Sequence, residues 1–547
     1  MNKTFTKRIV VASSTFLFSI LGLFGIMLGL VSALRYIETN QDVATDNTEI
    51  IEVAESFTLG VPPLSGTFLD LYWDTMPADK VEAYLNELQE VGMDTVIVVN
   101  TRKRVGTCNN LTFTDERTVS TDSQSTLYKL VEGTSRRNMN LYLGLIGFNE
   151  CTPAAGLYEN PNAIAKMEID IKATVERFET AFRNFSSLKG YYITDEPIRF
   201  WYSQEEGTTV INNFNTFYKK YVQAIDGGVA TINSRNPATP KTRYTLASPT
   251  FGGIHTYSRT PEWVGNWLLS FKNFTGIDTF AVQDTVGGLG LYSFPYPIKD
   301  YYTAMSQKIG VNNLWVNHEL FNYKNNRTTI ATRVKQQVNE VRSSDVSKRI
   351  TWSHHIYMSN VWLGHYQPST RLKETYLAQF NVKGQVLTPT RYIWLQTPAN
   401  NYPDSGNELF DGKVGDPRPL NTYGSIDTKW TGLRQTNGAV SLWVEFNEEK
   451  NISWISAQLL RDKNSGVRIP RKIEIQCVSR TGVSELEQIT IPSDSTYNED
   501  EYIETNGGDY TMSNVNKYNS NCSGLILTLY NSDWTFLSEL EIVSSPN

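Results

Sequence analysis

The strongest constraint on the fold is a repeated alternation of short apolar segments with longer amphipathic segments, which runs from Gly66 to Val382. Eight alternations of this kind predict a parallel sheet whose strands are joined by helices, and the length fits a closed (β/α)8 TIM barrel. An open doubly wound sheet is the alternative, but no GxGxxG motif follows the first strand. The predicted strands are Thr67–Trp73, Thr95–Asn100, Leu141–Gly147, Gly190–Thr194, Tyr244–Ser248, Thr279–Gln283, Leu314–Asn317 and Arg349–Ser353.

The rest of the chain has a different character, because helical periodicity disappears after Val382. Short β-rich runs follow, among them SLWVEFN, RKIEIQCVS and SGLILTLY, and Pro, Gly, Asn and Asp separate them. Short strands between turn residues are typical of a β-sandwich. We therefore assign residues 61–382 to the α/β barrel and residues 383–547 to an all-β sandwich domain.

The N-terminus carries an uncharged, largely apolar stretch of 26 residues, Ile9–Leu34, directly after the basic segment Lys3–Arg8. A bilayer span needs about 20 apolar residues, whereas the apolar part of a signal peptide has about 7 to 15, so the length favours a transmembrane helix. The small residues Val31–Ala33 leave cleavage as the alternative. We predict a membrane anchor or signal peptide over residues 1–35 and a polar linker over 36–60, with the body on the cell surface or secreted.

Charge and composition narrow the range of partners. Lys and Arg number 50 against 57 Asp and Glu, so the formal net charge is -7. No general basic surface is available for a phosphate backbone, and nucleic acid is not expected as a partner. The chain also contains 12 Trp and 29 Tyr. Aromatic rings stack on the apolar faces of sugars, although a well-packed core uses aromatic residues too.

The four cysteines, Cys108, Cys151, Cys477 and Cys522, fall into two widely separated pairs. None lies in a CxxC pattern, and no His or Cys stands at zinc-finger spacing, so a structural zinc site is not expected. Free thiols and disulfides are the two remaining interpretations, and export permits disulfides. On that basis Cys108 would pair with Cys151 and Cys477 with Cys522, one bridge in each domain.

The catalytic groups of a (β/α)8 barrel lie at the C-terminal ends of its strands and in the loops that follow. Several carboxylates and other polar residues occupy those positions here, and a buried carboxylate is costly unless it is paired or functional. Together they predict a carboxylate-lined cleft. The residues expected to bind substrate there are Asp70, Asp195, Gln283, Asp284, Asn317, His318, Trp352 and His354.

Glu196 and Glu319 are the natural catalytic pair, because glycoside hydrolysis needs two carboxyl groups across the scissile bond. Glu196 ends the fourth strand in GYYITDEP, and the charge of the adjacent Asp195 could raise its affinity for a proton, as a general acid requires. Glu319 ends the seventh strand in LWVNHELF. Asp284 could bind sugar hydroxyls, orient Glu319 or form a simple turn.

GYYITDEP and LWVNHELF resemble the fourth- and seventh-strand motifs of the large retaining glycoside hydrolase clan that includes cellulases and β-galactosidases. GTFLDLYW, GMDTVIVV and GIDTFAVQDTVGG are similar to an uncharacterised family of glycosidase-like barrels, domain of unknown function 4434. The resemblance implies that Glu196 is the acid/base, Glu319 the nucleophile and Trp352 the platform for the reacting sugar. The clan's Asn, which hydrogen-bonds the sugar 2-hydroxyl, is Asp195 here, so either the substrate or the role of this position differs.

The C-terminal domain resembles the discoidin-type, galactose-binding-like sandwiches, through NELFDGKVGD near its start and SDWTFLSELEIV near its end. This resemblance implies a discoidin-like jelly roll with a carbohydrate-binding role and a structural calcium ion held by Asp411 and Glu539. No cofactor is expected for catalysis.

These observations predict a retaining glycoside hydrolase that acts on an extracellular or cell-surface polysaccharide and is attached to the membrane through its N-terminal segment. The alternative is a non-catalytic surface protein that binds glycan or mediates adhesion on a glycosidase-like barrel. A purely structural surface protein is a third interpretation, and it would lack an aromatic-lined cleft.

Overall fold

In the computed structural model, the predicted anchor or signal peptide and the linker lie outside the described residues. Within the described part of the chain, no helix has both the length and the apolar character needed to cross a bilayer. The described residues are 62–71, 76–107, 112–147, 160–197, 208–250, 259–287, 298–322, 327–328, 331–342, 344–361, 371–404, 406, 408–415, 430–434, 438–461, 467–490, 506–511, 520–531 and 534–544.

In these residues, eight parallel strands close into a barrel, as the sequence predicts. The strands are β1 (Gly66–Leu69), β2 (Thr95–Val98), β3 (Asn140–Gly144), β4 (Leu188–Ile193), β5 (Tyr244–Ala247), β6 (Thr279–Gln283), β7 (Leu314–Glu319) and β8 (Lys348–Trp352). Consecutive strands pair, and β8 pairs with β1 through Gly66 opposite Ile350. This last pairing closes the ring and excludes an open doubly wound sheet.

A helix follows each barrel strand in the described part of the chain. Local sequence sets several helix ends: the side chain of Asn160 accepts hydrogen bonds from the first turn of the helix that begins at Pro161. Thr260 caps the helix that begins at Pro261, and Gly276 follows that helix in the left-handed conformation with φ 78°. These helices are α1 (Val81–Glu90), α2 (Thr126–Arg136), α3 (Pro161–Phe182), α4 (Thr208–Arg235), α5 (Pro261–Thr275), α6 (Ile298–Ile309), α7 (Ala331–Glu340) and α8 (Arg371–Gln379), and a single short turn of helix, His354–Tyr357, lies between β8 and α8.

Apolar side chains fill the interior of the barrel. Because successive side chains of a strand point to opposite faces, the inward residues of each strand recur every second position. Trp315 on β7 is inward, so Glu319 on the same strand is inward too, and Ala281 on β6 gives the same direction to Gln283. The interior cluster consists of Phe68, Ile97, Val99, Tyr142, Tyr192, Leu246, Ala281, Trp315 and Ile350, with Trp352 packed against it.

Small sheets that the sequence did not reveal lie outside the ring. Strands Arg102–Thr107 and Thr112–Thr118 form an antiparallel hairpin, and Ile146–Gly147 adds to it in parallel. A second hairpin pairs Phe321–Asn322 with Arg327–Thr328 directly after β7. The loops after β2, β3 and β7 therefore carry ordered structure at the carboxyl edge of the barrel.

The C-terminal domain is all-β, as predicted, with nine antiparallel strands in its described residues. They are β9 (Gln385–Val386), β10 (Arg391–Trp394), β11 (Thr431–Arg434), β12 (Ala439–Arg461), β13 (Lys472–Ser479), β14 (Gly482–Thr490), β15 (Asn506–Thr511), β16 (Ser520–Tyr530) and β17 (Trp534–Ser544). The first half of β12 pairs with β10 and β16, and its second half with β15 and β17. The long strand β12 thus pairs with two different sets of strands.

A disulfide joins Cys477 on β13 to Cys522 on β16, with an S–S distance of 2.07 Å. This is the pairing that the sequence predicts for the C-terminal domain. Both cysteines are buried in the apolar core of the domain. The other predicted pair, Cys108 and Cys151, lies outside the described residues.

Candidate active site

Glu196 lies three residues beyond the end of β4, at the carboxyl edge of the barrel. As a residue it keeps some exposure to solvent, but its carboxyl group is enclosed by protein. Burial raises the pKa of Glu196 to about 7, while hydrogen bonds from the side chains of Gln283 and Thr250 act in the opposite direction. A carboxyl group with this pKa is able to hold a proton near neutral pH and give it away, which is what a general acid does.

The groups that hold Glu196 come from two neighbouring strands. Gln283 is the last residue of β6, and Thr250 pairs with it just beyond the end of β5. The side-chain nitrogen of Gln283 also donates to the carbonyl oxygen of Ser248 at 3.1 Å. The position of the Gln283 amide is therefore fixed by the barrel itself, and Glu196 is held by a rigid part of the fold.

Glu319 is the last residue of β7 and is only 4% exposed. Its carbonyl oxygen accepts hydrogen bonds from Arg333 at 2.8 Å and from Gln337 at 3.3 Å, both on α7. Its backbone N–H donates to Asp284 at 3.3 Å. The backbone of Glu319 is thus held on both sides by buried side chains, which limits the positions that its carboxylate can take.

Asp284 follows β6 and is buried at the end of a hydrogen-bond network. Besides the N–H of Glu319, its carboxylate accepts hydrogen bonds from the N–H of Val286 at 3.2 Å and from Gln337 at 3.0 Å, and it lies 2.8 Å from Nδ1 of His318. These contacts fit two of the roles considered for Asp284: the hydrogen bond from Val286 forms a turn, and the hydrogen bond from Glu319 allows Asp284 to orient that residue. His318 is fully buried beside Asp284, and its side chain points away from the barrel interior because the residues on either side of it, Asn317 and Glu319, are inward.

The backbone after Asp284 packs directly on Glu319. Thr285 has a φ of 57°, a left-handed conformation that a β-branched residue rarely adopts. A Cβ atom on Gly287 would lie 2.2 Å from the carbonyl oxygen of Phe321 and 3.2 Å from Oε2 of Glu319. Only glycine therefore fits at 287, and strained backbone of this kind is concentrated at functional sites.

Trp352 pairs in register with Glu319 across the β7–β8 border. Its ring lies 5.3 Å from Phe68 between centroids, and Phe68 in turn lies 5.2 Å from Tyr192. Trp352 keeps part of its surface exposed, whereas Phe68 and Tyr192 are buried. The structure thus places one partly exposed aromatic ring next to the strand end that carries Glu319.

The remaining predicted substrate residues occupy several environments. Asp70 directly follows β1 and is 7% exposed. Asn317 is buried on β7, donates to Oγ of Ser248 at 3.3 Å and has no hydrogen-bond partner for its side-chain oxygen in the described residues. Asp195 is buried. The pKa of the nearby Tyr221 is raised by the burial of Tyr221 itself and then by the charge of Asp195.

His354 lies away from the barrel mouth. Its ring is fully buried and packs edge-on against Tyr84 of α1, 5.6 Å between centroids. Burial, and then the charge of Lys373, lowers the pKa of His354 to about 3, so the ring is neutral. His354 thus follows β8 and packs against α1.

No group of three or more His, Cys, Asp or Glu residues among the described ones is placed to hold a metal ion. The two residues predicted to bind calcium are nevertheless close together. Burial, and then the charges of Glu541 and Asp411, raises the pKa of Glu539 well above its usual value. The carboxylate of Glu539 accepts one hydrogen bond from the backbone of Gly412, and its Oε2 has no hydrogen-bond partner in the described part of the chain.

The sequence did not identify Thr250, Arg333 or Gln337 as site residues. Thr250 lies just beyond β5, so the rule that strand ends carry the site could have found it. Arg333 and Gln337 are spaced i, i+4 on α7 and share one face of it. No local signal shows that this polar face is turned toward Glu319.

The chain is a (β/α)8 barrel protein with one carboxylate just beyond β4 and another at the end of β7. Gln283, at the end of β6, and Asp284, directly after it, contact these two residues. Residues 64–362, more than half of the chain, match a family described as "Domain of unknown function (DUF4434)". The chain belongs to this family. No curated protein sequence matches it significantly.

Several solved structures are similar to parts of the chain. A candidate alpha-L-fucosidase from Bacteroides thetaiotaomicron VPI-5482 shares 15% identity over 61% of this chain and 97% of its own, with a TM-score of 0.42. The endo-1,4-beta-mannanase from Rhizomucor miehei shares 12% over 53% of this chain and 86% of its own, with a TM-score of 0.37. The family 32 carbohydrate-binding module of NanJ from C. perfringens shares 14% over 28% of this chain and 92% of its own, with a TM-score of 0.19. Identities and TM-scores this low establish neither activity nor substrate.

Proposed function

We propose that the protein is a retaining glycoside hydrolase that acts on an extracellular or cell-surface polysaccharide, with Glu196 as acid/base and Glu319 as nucleophile. The observation that carries the proposal is the pair of adjacent residues Gln283 and Asp284. One donates to the carboxyl group of Glu196 and the other accepts from the backbone of Glu319. Two carboxylates at the carboxyl edge of one barrel are thereby tied to the same strand end.

The two carboxyl groups are suited to different tasks. Glu196, with its pKa raised to about 7, starts protonated and gives its proton to the glycosidic oxygen. Glu319 attacks the anomeric carbon as the bond to that oxygen breaks, which leaves a glycosyl ester on Glu319. A water molecule then gives a proton to Glu196 and attacks the same carbon, and the free sugar and both carboxyl groups are restored.

Neighbouring groups support a sugar at this position. Trp352 offers a partly exposed ring beside Glu319, and rings of this kind stack on the apolar face of a pyranose. The side-chain oxygen of Asn317 has no hydrogen-bond partner in the described residues. Asn317 lies two residues before Glu319 on the same, inward face of β7. A sugar hydroxyl is a suitable donor for it.

Product analysis on a panel of extracellular polysaccharides tests the proposal. The wild type should release sugars, whereas Glu196→Gln and Glu319→Gln should fold normally and release none. Glu262→Gln is a matched control, because Glu262 is an exposed carboxylate on α5. Proton NMR of the first product should show retention of anomeric configuration. Full turnover in either site variant would refute the assigned roles. Glycan binding without turnover in the wild type would instead favour the non-catalytic binding protein.

We further propose that residues 383–547 form a discoidin-like accessory domain that binds glycan and holds a structural calcium ion through Asp411 and Glu539. The buried Glu539 supports this, because it lies near like charges and a divalent cation would neutralise them. Calcium chloride should raise the melting temperature of the wild type and not that of Asp411→Asn. An equal response in both proteins would count against the site.

We also propose that the segment before residue 62 anchors the barrel outside the membrane. Its uncharged stretch Ile9–Leu34 is long enough for a bilayer span. The full chain should fractionate with membranes. A variant in which a cleavable signal peptide replaces the stretch Ile9–Leu34 should be released into the medium. Recovery of the full chain in a soluble fraction would contradict an anchor.

A further inference from the structure

A buried carboxylate of the C-terminal domain reaches the barrel helix that holds Glu319. Glu541 lies on β17 and is 1% exposed. It accepts hydrogen bonds from the backbone N–H of Thr332 at 2.5 Å, from the hydroxyl of Thr332, and from the side chain of Gln379 at 3.1 Å. Gln379 also donates to the Thr332 hydroxyl at 3.0 Å. The contact therefore joins β17 to the ends of two barrel helices.

Thr332 is the second residue of α7. The first N–H groups of a helix have no partner inside the helix, and a side chain from the preceding residues usually accepts from one of them. Here the acceptor comes from more than 200 residues away, in another domain. Glu541 thus fixes the position at which α7 begins.

The next residues of the same helix hold the proposed nucleophile. Arg333 donates to the carbonyl oxygens of Glu319 and Phe321 at 2.8 and 2.9 Å. Gln337, one turn further, donates to the carbonyl oxygen of Glu319 and to the carboxylate of Asp284. A shift of the first turn of α7 would move these donors and, with them, the backbone of Glu319.

We infer that Glu541 is a positioning residue for Glu319, and that the C-terminal domain is part of the machinery that orders the active site as well as a glycan-binding accessory. This inference rests on the proposed glycosidase function. A reacting group displaced by about 1 Å loses turnover by a factor on the order of a hundred, so a domain that sets this position affects the rate directly.

The test compares three variants of the full chain in buffer that contains calcium chloride. Glu541→Ala removes the acceptor, and Glu541→Gln keeps an oxygen that can accept from Thr332. Ser538→Ala is the matched control, because Ser538 is buried three residues earlier on β17 and its hydroxyl donates to Gln458 within the same domain. Glu541→Ala should lower kcat by about ten- to a hundredfold with a much smaller change in KM. Glu541→Gln should recover most of the loss, and Ser538→Ala should leave kcat within a few-fold of the wild type.

Hydrogen exchange of α7 separates this inference from the proposed function. Backbone amides in the first turn should exchange at least tenfold faster in Glu541→Ala than in Ser538→Ala, whether or not any glycan is turned over. If the wild type turns over none of the substrates tested, the proposed glycosidase function is refuted. The exchange data would still decide the role of Glu541. Equal exchange, or an equal kcat, in Glu541→Ala and Ser538→Ala would overturn the inference.

A variant on the barrel side keeps the test decisive if Glu541→Ala does not fold. Thr332→Val preserves the shape of the side chain but removes the hydroxyl that contacts Glu541 and Gln379. Thr332→Val should also lower kcat and speed exchange in the first turn of α7, but each change should be several-fold rather than tenfold or more. Unchanged kcat and unchanged exchange in Thr332→Val would contradict the inference.

Discussion

The side-chain amide of Gln283 donates a hydrogen bond to the carboxyl group of Glu196. A hydrogen bond from an amide favours the charged form of a carboxyl group, so this contact opposes the effect of burial on the pKa of Glu196. The pKa of Glu196 therefore reflects a balance between burial, which raises it, and two hydrogen-bond donors, Gln283 and Thr250, which lower it.

Loss of the Gln283 donor should change the pH profile of the proposed glycosidase. In Gln283→Ala, the pKa of Glu196 should rise, because burial then acts with less opposition. A general acid must be protonated, so the alkaline limb of kcat/KM should move to higher pH. Gln336→Ala is the control, since the partly buried Gln336 donates to Glu340 within α7. An alkaline limb that stays in place would show that Gln283 does not tune Glu196.

Glu196 should make stability depend on pH. Its pKa is about 7 in the folded protein and 4.5 in the unfolded chain. Its stabilising contribution is therefore complete below pH 4.5 and is lost as the pH rises through about 7. Compared with the wild type, Glu196→Gln should be equally stable at pH 4 and more stable at pH 8, by up to about 3 kcal/mol.

Denaturant unfolding at the two pH values measures this difference. Glu262→Gln, which alters an exposed carboxylate, should show no such dependence. A stability gain in Glu196→Gln that is the same at both pH values would mean that the folded protein does not raise the pKa of Glu196.

Gly287 should tolerate no side chain. In Gly287→Ala, the new methyl group would collide with the carbonyl oxygen of Phe321 and press on Glu319. Overpacking of this kind lowers the free energy of unfolding by about 1–3 kcal/mol. Turnover should also fall, because Glu319 is displaced. Gly227→Ala is the matched control, because the nearest atom to its Cβ is 3.8 Å away in the side chain of Lys172.

Gly227 lies within α4, where alanine is the better helix former, so this control should gain about 0.5–1 kcal/mol and keep full turnover. Unfolding free energies and kcat of both variants provide the comparison. Wild-type turnover in Gly287→Ala would show that the backbone at 287 does not support Glu319.

The disulfide should stabilise the C-terminal domain without affecting the chemistry. It closes a loop of 45 residues, for which the chain-entropy estimate is about 4 kcal/mol. A double variant, Cys477→Ala with Cys522→Ala, should unfold at lower denaturant concentration, while kcat stays unchanged where the protein is folded. An unchanged unfolding midpoint would mean that the bridge adds no stability.

The sequence predicts the barrel well because its signals are local. Each strand is a short apolar run, as in LWVNHELF, and each places a polar residue where the run ends. Glu196 and Glu319 could be selected in this way without knowledge of their neighbours. The bounds of the strands differ in places: β4 begins at Leu188 rather than Gly190, because Lys189 interrupts the apolar run.

The support of the site could not be predicted, because it depends on contacts between distant segments. Arg333 and Gln337 belong to the polar run ATRVKQQVNE, which reads as an exposed helix face, yet both are buried. His354 was expected at the rim because it follows β8 closely, but its ring turns outward to Tyr84. Side-chain direction just beyond a strand end follows no fixed alternation, and only packing decides it.

The bond between Glu541 and Thr332 also bears on protein engineering. Carbohydrate-active modules are attractive parts for chimeras, and the border near residue 382 looks like a natural place to join a foreign module to this barrel. A chimera cut there would leave the N–H of Thr332 without its acceptor, at a cost of about 1–3 kcal/mol where the foreign module buries it unpaired. A replacement module would therefore have to present a carboxylate to the start of α7.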